Sequence, residues 1–235
     1  MTRLTTCPDA ETVAERAARH VERAVERALA ERGAAHVALS GGTTPGRTYE
    51  LLGGGAGGGG CAAGLPDVEW WFADERCVPP DHADSNYRMV RLALLDHVPA
   101  VVHRIEGERD PDAAAADYAA ALPDVLDAMV LGMGEDLHTA SLAPGVDWSR
   151  PTGQKVLHVS GFAKPPPDRI TVTPDVIAAA RALLVAVTGA GKAAQVALAL
   201  DRPPEPQRYP IHLARRATWL LDRAAAAQLQ ESPHV

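Results

Sequence analysis

A carboxylate and an imidazole lie two residues apart in Asp136-Leu137-His138. They sit inside the stretch Leu131-Gly132-Met133-Gly134-Glu135-Asp136-Leu137-His138-Thr139-Ala140-Ser141, which comes after the apolar run Ala128-Met129-Val130-Leu131. An acid beside a base, with two hydroxyls close behind, suits acid–base catalysis. A strand leading into glycines is where an open α/β sheet places such groups. His138 is therefore the expected catalytic residue, with Asp136 beside it.

Three other stretches carry chemistry of their own. Ser40-Gly41-Gly42-Thr43-Thr44 leaves the apolar strand His36–Leu39 and runs into a helix with Pro45 in its first turn. That order presents backbone N–H groups to a phosphate; a tight turn capped by a threonine is the alternative. Asp74-Glu75-Arg76 ends the strand Val68–Ala73. Three charges there are costly to bury unless paired, so either a carboxylate pairs with Arg76 or it holds Arg76 toward a substrate anion. Thr188-Gly189-Ala190-Gly191-Lys192 leaves the apolar strand Leu183–Val187. It departs from a nucleotide-binding P-loop at Ala186 and Ala193, which argues against nucleotide, but Lys192 at a helix start suits a simple phosphate.

The remaining pattern supplies the elements that hold these exits. Val13, Ala17, Val21, Val25 and Ala28 place one apolar stripe on a helix over Thr12–Arg32, stopped by Gly33. The many charges on this helix read as a solvated face. Further strands are expected at Val101–Ile105, Asp127–Leu131, Gln154–Ser160, Arg169–Thr173 and Thr218–Leu221. Helices are expected after Ser85, over Pro111–Leu122, from Pro174, after Lys192, over Ile211–Arg215 and over Arg223–Leu229. The seven glycines and one alanine of Gly53–Gly60 read as a flexible surface loop, Lys164-Pro165-Pro166-Pro167 as a stiff one, and His158 as structural. Strands alternating with helices predict a doubly wound, mostly parallel sheet flanked by helices, Rossmann-like, in a single α/β domain over residues 1–235. In a parallel sheet the four polar exits share one edge. There they form a pocket for a phosphorylated small molecule.

Composition narrows the classes. A net charge of −7 argues against nucleic acid as a partner. No apolar run is long enough for a membrane span, and the start lacks a signal-peptide core, so the expected compartment is the cytoplasm. Three cysteines, Cys7, Cys61 and Cys77, without a CxxC pair give no disulfide framework. GxSxG and HExxH motifs are absent, and Cys77 with His82 is a weak metal candidate; no metal is expected.

The chain resembles the bacterial 6-phosphogluconolactonases, related in fold to glucosamine-6-phosphate deaminase. Four stretches carry the resemblance in family order: Leu39–Pro45; Asp74–Pro79 with Asp84-Ser85-Asn86-Tyr87; Leu131–Gly145; and Arg169-Ile170-Thr171 with Thr188–Lys192. The closing Trp219-Leu220-Leu221-Asp222 also fits. The resemblance implies hydrolysis of 6-phospho-D-glucono-1,5-lactone in the oxidative pentose phosphate pathway, with no metal and no organic cofactor. By position it implies that His138 is the general base toward water, that Arg76 and Lys192 bind phosphate or developing charge, that Ser40 to Thr44 contact the substrate, and that Asp136 and Asp74 orient His138 or the substrate. The expected partner is a phosphorylated sugar lactone, and the expected assembly a monomer or small homo-oligomer. Two positions depart from the family: Leu137 and Ala143 stand where it usually has Gly and Phe. A glycine at 137 tolerates positive φ, whereas leucine does so only with strain. Two alternatives stay open: isomerase or deaminase chemistry on a hexosamine 6-phosphate, and a non-catalytic sugar-phosphate sensor. Thr139-Ala140-Ser141-Leu142 fits the lactonase pattern rather than the deaminase's Phe-Asn-Glu-Pro.

Overall fold

Seven short strands, most of them apolar, are β1 (Arg3–Cys7), β2 (Ala35–Leu39), β3 (Val68–Phe72), β5 (Val101–Val102), β6 (Ala128–Leu131), β9 (Ala182–Val187) and β10 (Thr218–Asp222). They form a parallel sheet in the order β1-β10-β9-β6-β2-β3-β5. Three more, β4 (Asp74–Arg76), β7 (Val156–Val159) and β8 (Arg169–Val172), form a separate antiparallel sheet in the order β4-β8-β7. This is a computed structural model, and it describes residues 2–54, 67–148 and 153–230. The glycine-rich segment lies outside the described residues from Gly55 onward, as does Cys61.

The central strands β6 and β9 are apolar throughout because helices cover both faces of a parallel sheet. The helix α1 (Ala10–Arg32) buries Val13, Ala17, Val21, Val25 and Ala28. Asp9 caps its start, accepting from the Thr12 N–H at 2.8 Å, and Gly33 ends it in the left-handed conformation at φ 76°. The other helices are α2 (Thr43–Leu52), α3 (Asn86–Val90), α4 (Pro111–Ala121), α5 (Pro174–Ala179) and α6 (Ala193–Asp201). A π-helical turn, Arg91–Leu95, continues α3. None of the described helices is long and apolar enough to cross a membrane.

From β2 the chain moves outward through β3 to β5, and from β6 it moves the other way through β9 to β10. The strand order therefore reverses between β2 and β6, and the crevice beyond their carboxyl ends is where such a sheet binds ligands.

Several expectations need correcting. The segments at 154–160 and 169–173 are strands, but they belong to the antiparallel sheet and not to the main one. Asp74–Arg76 is not only a strand exit; it is a strand in its own right, paired with β8. Residues 223–228 form turns instead of a closing helix, because the Asp222 carboxylate accepts from the Ala225 N–H at 2.7 Å and from the Gly189 N–H. The edge strand β1 is an addition; Arg-Leu-Thr-Thr-Cys is too short and too polar to announce itself.

Candidate active site

The four exits meet in a cleft of about 370 Å³ at the β2/β6 reversal. Its lining includes Ser40, Gly41, Gly42, Thr43, Thr44, Asp74, Arg76, His138 and Lys192, so nine of the ten residues singled out in the sequence reach it; Asp136 touches it through His138.

The β6 loop is built around the acid–base pair. Asp136 Oδ1 lies 2.5 Å from His138 Nδ1 and also accepts the His138 backbone N–H at 3.2 Å. That imidazole contact holds the Asp136 carboxyl down at about 2, so it is a carboxylate at neutral pH. A carboxylate only accepts, so Nδ1 carries the proton and Nε2 is left basic. Nε2 has no hydrogen-bond partner among the described residues. Gly134 makes the packing possible: a Cβ there would lie 2.1 Å from His138 Nδ1 and 2.7 Å from Asp136 Oδ1.

Leu137, between the pair, sits at φ 68°. The backbone thus keeps the conformation a glycine would favour, and the leucine bears a strain of about 1–2 kcal/mol. Its side chain is buried and its carbonyl accepts from the Ile211 N–H at 2.9 Å. Burying a leucine contributes about 1.5–3 kcal/mol, enough to offset the strain.

The β2 loop offers N–H groups. Gly42 precedes α2 without any side-chain cap, so the first-turn amides are not consumed by the chain itself. Thr44 Oγ1 and Thr188 Oγ1 lie 2.8 Å apart and tie this loop to the β9 exit. Lys192 Nζ reaches across to the Met133 carbonyl at 3.3 Å. Gly41 admits Asn86, whose Oδ1 would lie 2.0 Å from a Cβ there.

The antiparallel sheet forms another wall. Arg76 on β4 faces Arg169 on β8 as a direct cross-strand pair. Like charges placed opposite each other destabilise a sheet. Arg169 is 3% exposed, and burial first, then Arg76, holds its guanidinium below its ordinary value. Neither arginine has a carboxylate within ion-pair distance among the described residues. Arg169 instead donates to the carbonyls of Pro166 and Lys164 and lies 3.9 Å over the Phe162 ring. The same ring meets His138 edge-on, with centroids 5.2 Å apart.

The carboxylates beside Arg76 do other work. Glu75 accepts from the N–H groups of Arg76, Asn86 and Tyr87 and from Ser85 Oγ, all within 3.0 Å. Burial raises its carboxyl, and those donors oppose the shift. Asp74 is held by Ser141 Oγ at 2.7 Å and by Asn86 Nδ2 at 3.2 Å. It makes no hydrogen bond to His138 among the described residues, so it acts on the loop through Ser141.

Four residues that touch or support the cleft carried no assigned role in the sequence: Asn86, Phe162, Lys164 and Arg169. Arg169 had a readable signal, a charge at the first position of the otherwise uncharged strand Arg169–Thr173. Phe162 had none, since its meaning lies in what it touches. Among the described residues no group of three or more His, Cys, Asp or Glu side chains is placed to share a metal.

Residues 8–221 match the family model described as glucosamine-6-phosphate isomerases/6-phosphogluconolactonase. A 6-phosphogluconolactonase of Streptomyces coelicolor is 36% identical over 252 residues, covering 95% of this chain and 93% of that one. The human 6-phosphogluconolactonase is 37% identical over 185 residues, covering 71% of each. The solved 6-phosphogluconolactonase of Trypanosoma brucei superposes with a TM-score of 0.83 at 25% identity, over 98% of this chain and 99% of that one.

Proposed function

The chain belongs to the glucosamine-6-phosphate isomerase/6-phosphogluconolactonase family, and from that premise we propose that it hydrolyses 6-phospho-D-glucono-1,5-lactone to 6-phospho-D-gluconate, the lactone step of the oxidative pentose phosphate pathway. One observation carries the reading: an imidazole held by an ionised carboxylate shares a cleft with arginines and a lysine that have no carboxylate partner among the described residues.

His138 Nε2 takes a proton from water as the water oxygen attacks the lactone carbonyl carbon. The imidazolium forms against Asp136, which stabilises it. Negative charge gathers on the former carbonyl oxygen, where N–H groups of the β2 loop or a cation stabilise it. The tetrahedral intermediate collapses, the ring C–O bond breaks, and the departing oxygen takes the proton back from His138. The products are a carboxylic acid, which ionises, and a free hydroxyl; no redox change occurs and no cofactor is consumed.

The substrate phosphate is bound by Arg76, Arg169 and Lys192. Binding energy from this non-reacting group holds the carbonyl near the water. Ser40 to Thr44 contact the substrate, and Asp74 positions the β6 loop through Ser141. The test is direct. Freshly generated lactone is hydrolysed, with acid release above the spontaneous rate, and glucosamine 6-phosphate yields no ammonia. Ammonia release without lactone hydrolysis would replace this reading with deaminase chemistry.

A further inference from the structure

The charges of α1 read as one solvated face in the sequence, but the helix sorts them. At 3.6 residues per turn, Arg16, His20, Arg23 and Arg27 fall within about 60° of arc, while Glu15, Glu22 and Glu26 occupy a separate arc of about 40°. In a chain with a net charge of −7, this is a concentrated positive stripe. Beside it lies a second cavity of about 420 Å³, lined by Arg16, Arg19, His20, Arg23 and Leu220. It shares no lining residue with the cleft described above.

The cations here are not consumed internally. Arg19 pairs with Glu15 at 3.2 Å, whereas Arg16 and Arg23 have no ion pair or hydrogen bond among the described residues. His20 Nε2 is buried and has no partner either. Burial, then Arg23, Arg3 and Arg27, hold the His20 imidazole below its ordinary value. Gathering like charges around a buried, unsatisfied nitrogen costs free energy that an anion would return.

We propose that this cavity is a second anion site, which takes a chain of linked phosphates. The span sets the ligand. Arg16 and Arg23 are seven residues apart, about 10.5 Å along the helix axis. A single phosphate engages one end of that span; a chain of three reaches along it. Among the described residues the lining contains no Phe, Tyr or Trp ring for a base to stack on, and Leu220 is its one apolar residue. The phosphate chain itself is therefore what the site recognises, whether free or carried by a nucleotide.

The test uses the full chain with its main cleft silenced by Arg76→Ala, Arg169→Met and Lys192→Ala, titrated with inorganic tripolyphosphate in a calorimeter. One equivalent binds, and affinity falls as salt rises. Adding Arg16→Gln and Arg23→Gln weakens it by about tenfold or more. The same two glutamines in the otherwise wild-type chain leave the activity of the main cleft unchanged. ATP binds within a few-fold of tripolyphosphate. No binding to the silenced chain, or binding that the glutamines leave untouched, overturns the site. ATP binding more than about tenfold tighter would overturn recognition by the phosphate chain alone.

Discussion

The two sheets serve the cleft in opposite ways. The parallel sheet contributes the loops at its strand exits: the uncapped amides after β2, the Asp136–His138 pair after β6, and Lys192 after β9. The antiparallel sheet contributes side chains from within its strands: Asp74, Arg76 and Arg169. The parallel edge is polar because its loops are unencumbered. The antiparallel wall is polar at a cost, since Arg76 and Arg169 face each other across a register that opposes like charges. The difference separates two kinds of site residue. Those on loops are held by neighbours that need only leave room, as Gly134 does. The two arginines on strands are held in a pairing that sets like charges against each other.

That comparison is open to test at its costliest point. Arg169→Met removes a buried cation and keeps most of the volume. Substrate binding weakens by about tenfold to a hundredfold, read as a rise in KM. Stability in urea stays level or rises by about 1 kcal/mol, because an unpaired buried charge is replaced by an apolar group. A loss of stability beyond about 2 kcal/mol would mean that the bonds to Pro166 and Lys164 outweigh the repulsion.

On the parallel edge the corresponding strain is in the backbone at Leu137. Leu137→Ala forfeits burial and keeps the left-handed conformation, and costs about 2–4 kcal/mol. Leu137→Gly forfeits the same burial but relieves the conformation, so it is the more stable of the two by about 1 kcal/mol. If the alanine variant unfolds at higher urea than the glycine variant, the residue is not strained.

Asp136 gives the smallest effect. Its folded-state value of about 2 lies below the ordinary carboxylate value near 3.9, so its contribution is complete above about pH 4 and is lost as pH falls toward 2. The gap in stability between the wild type and Asp136→Asn therefore stays constant above about pH 4 and closes below it. Because the side chain is half exposed, solvent screening keeps that gap small. A gap that stays constant down to about pH 2 would show that the imidazole does not hold the carboxylate.

Apart from its edge strand β1, the parallel sheet was legible in the residues because its signals are local. Apolar runs such as Leu183–Val187 mark buried strands, and glycine with hydroxyl residues marks their exits. The same locality brought Ser40 to Thr44, Asp136, His138 and Lys192 to one edge. The antiparallel sheet was legible only in part: β7 and β8 read as strands, but their union with β4 did not, because β4 is three residues of charge and its partner β8 lies far along the chain. Leu137 shows the limit from the other side. The family pattern marked the position as glycine-like, yet only the backbone at φ 68° tells that the leucine adopts that conformation and is buried for it. Glu75 could not be placed from its neighbours either; it serves three backbone amides and a serine, not the arginine side chain beside it.

The central claim is that His138 is the base and the remaining cleft brings it an anionic lactone. Its most direct test compares kcat/KM for freshly generated 6-phosphogluconolactone between the wild type and His138→Ala, with spontaneous hydrolysis subtracted. A loss of about 10²–10⁴-fold with unchanged affinity for 6-phosphogluconate is the expected result; equal kcat/KM in the two proteins would contradict it.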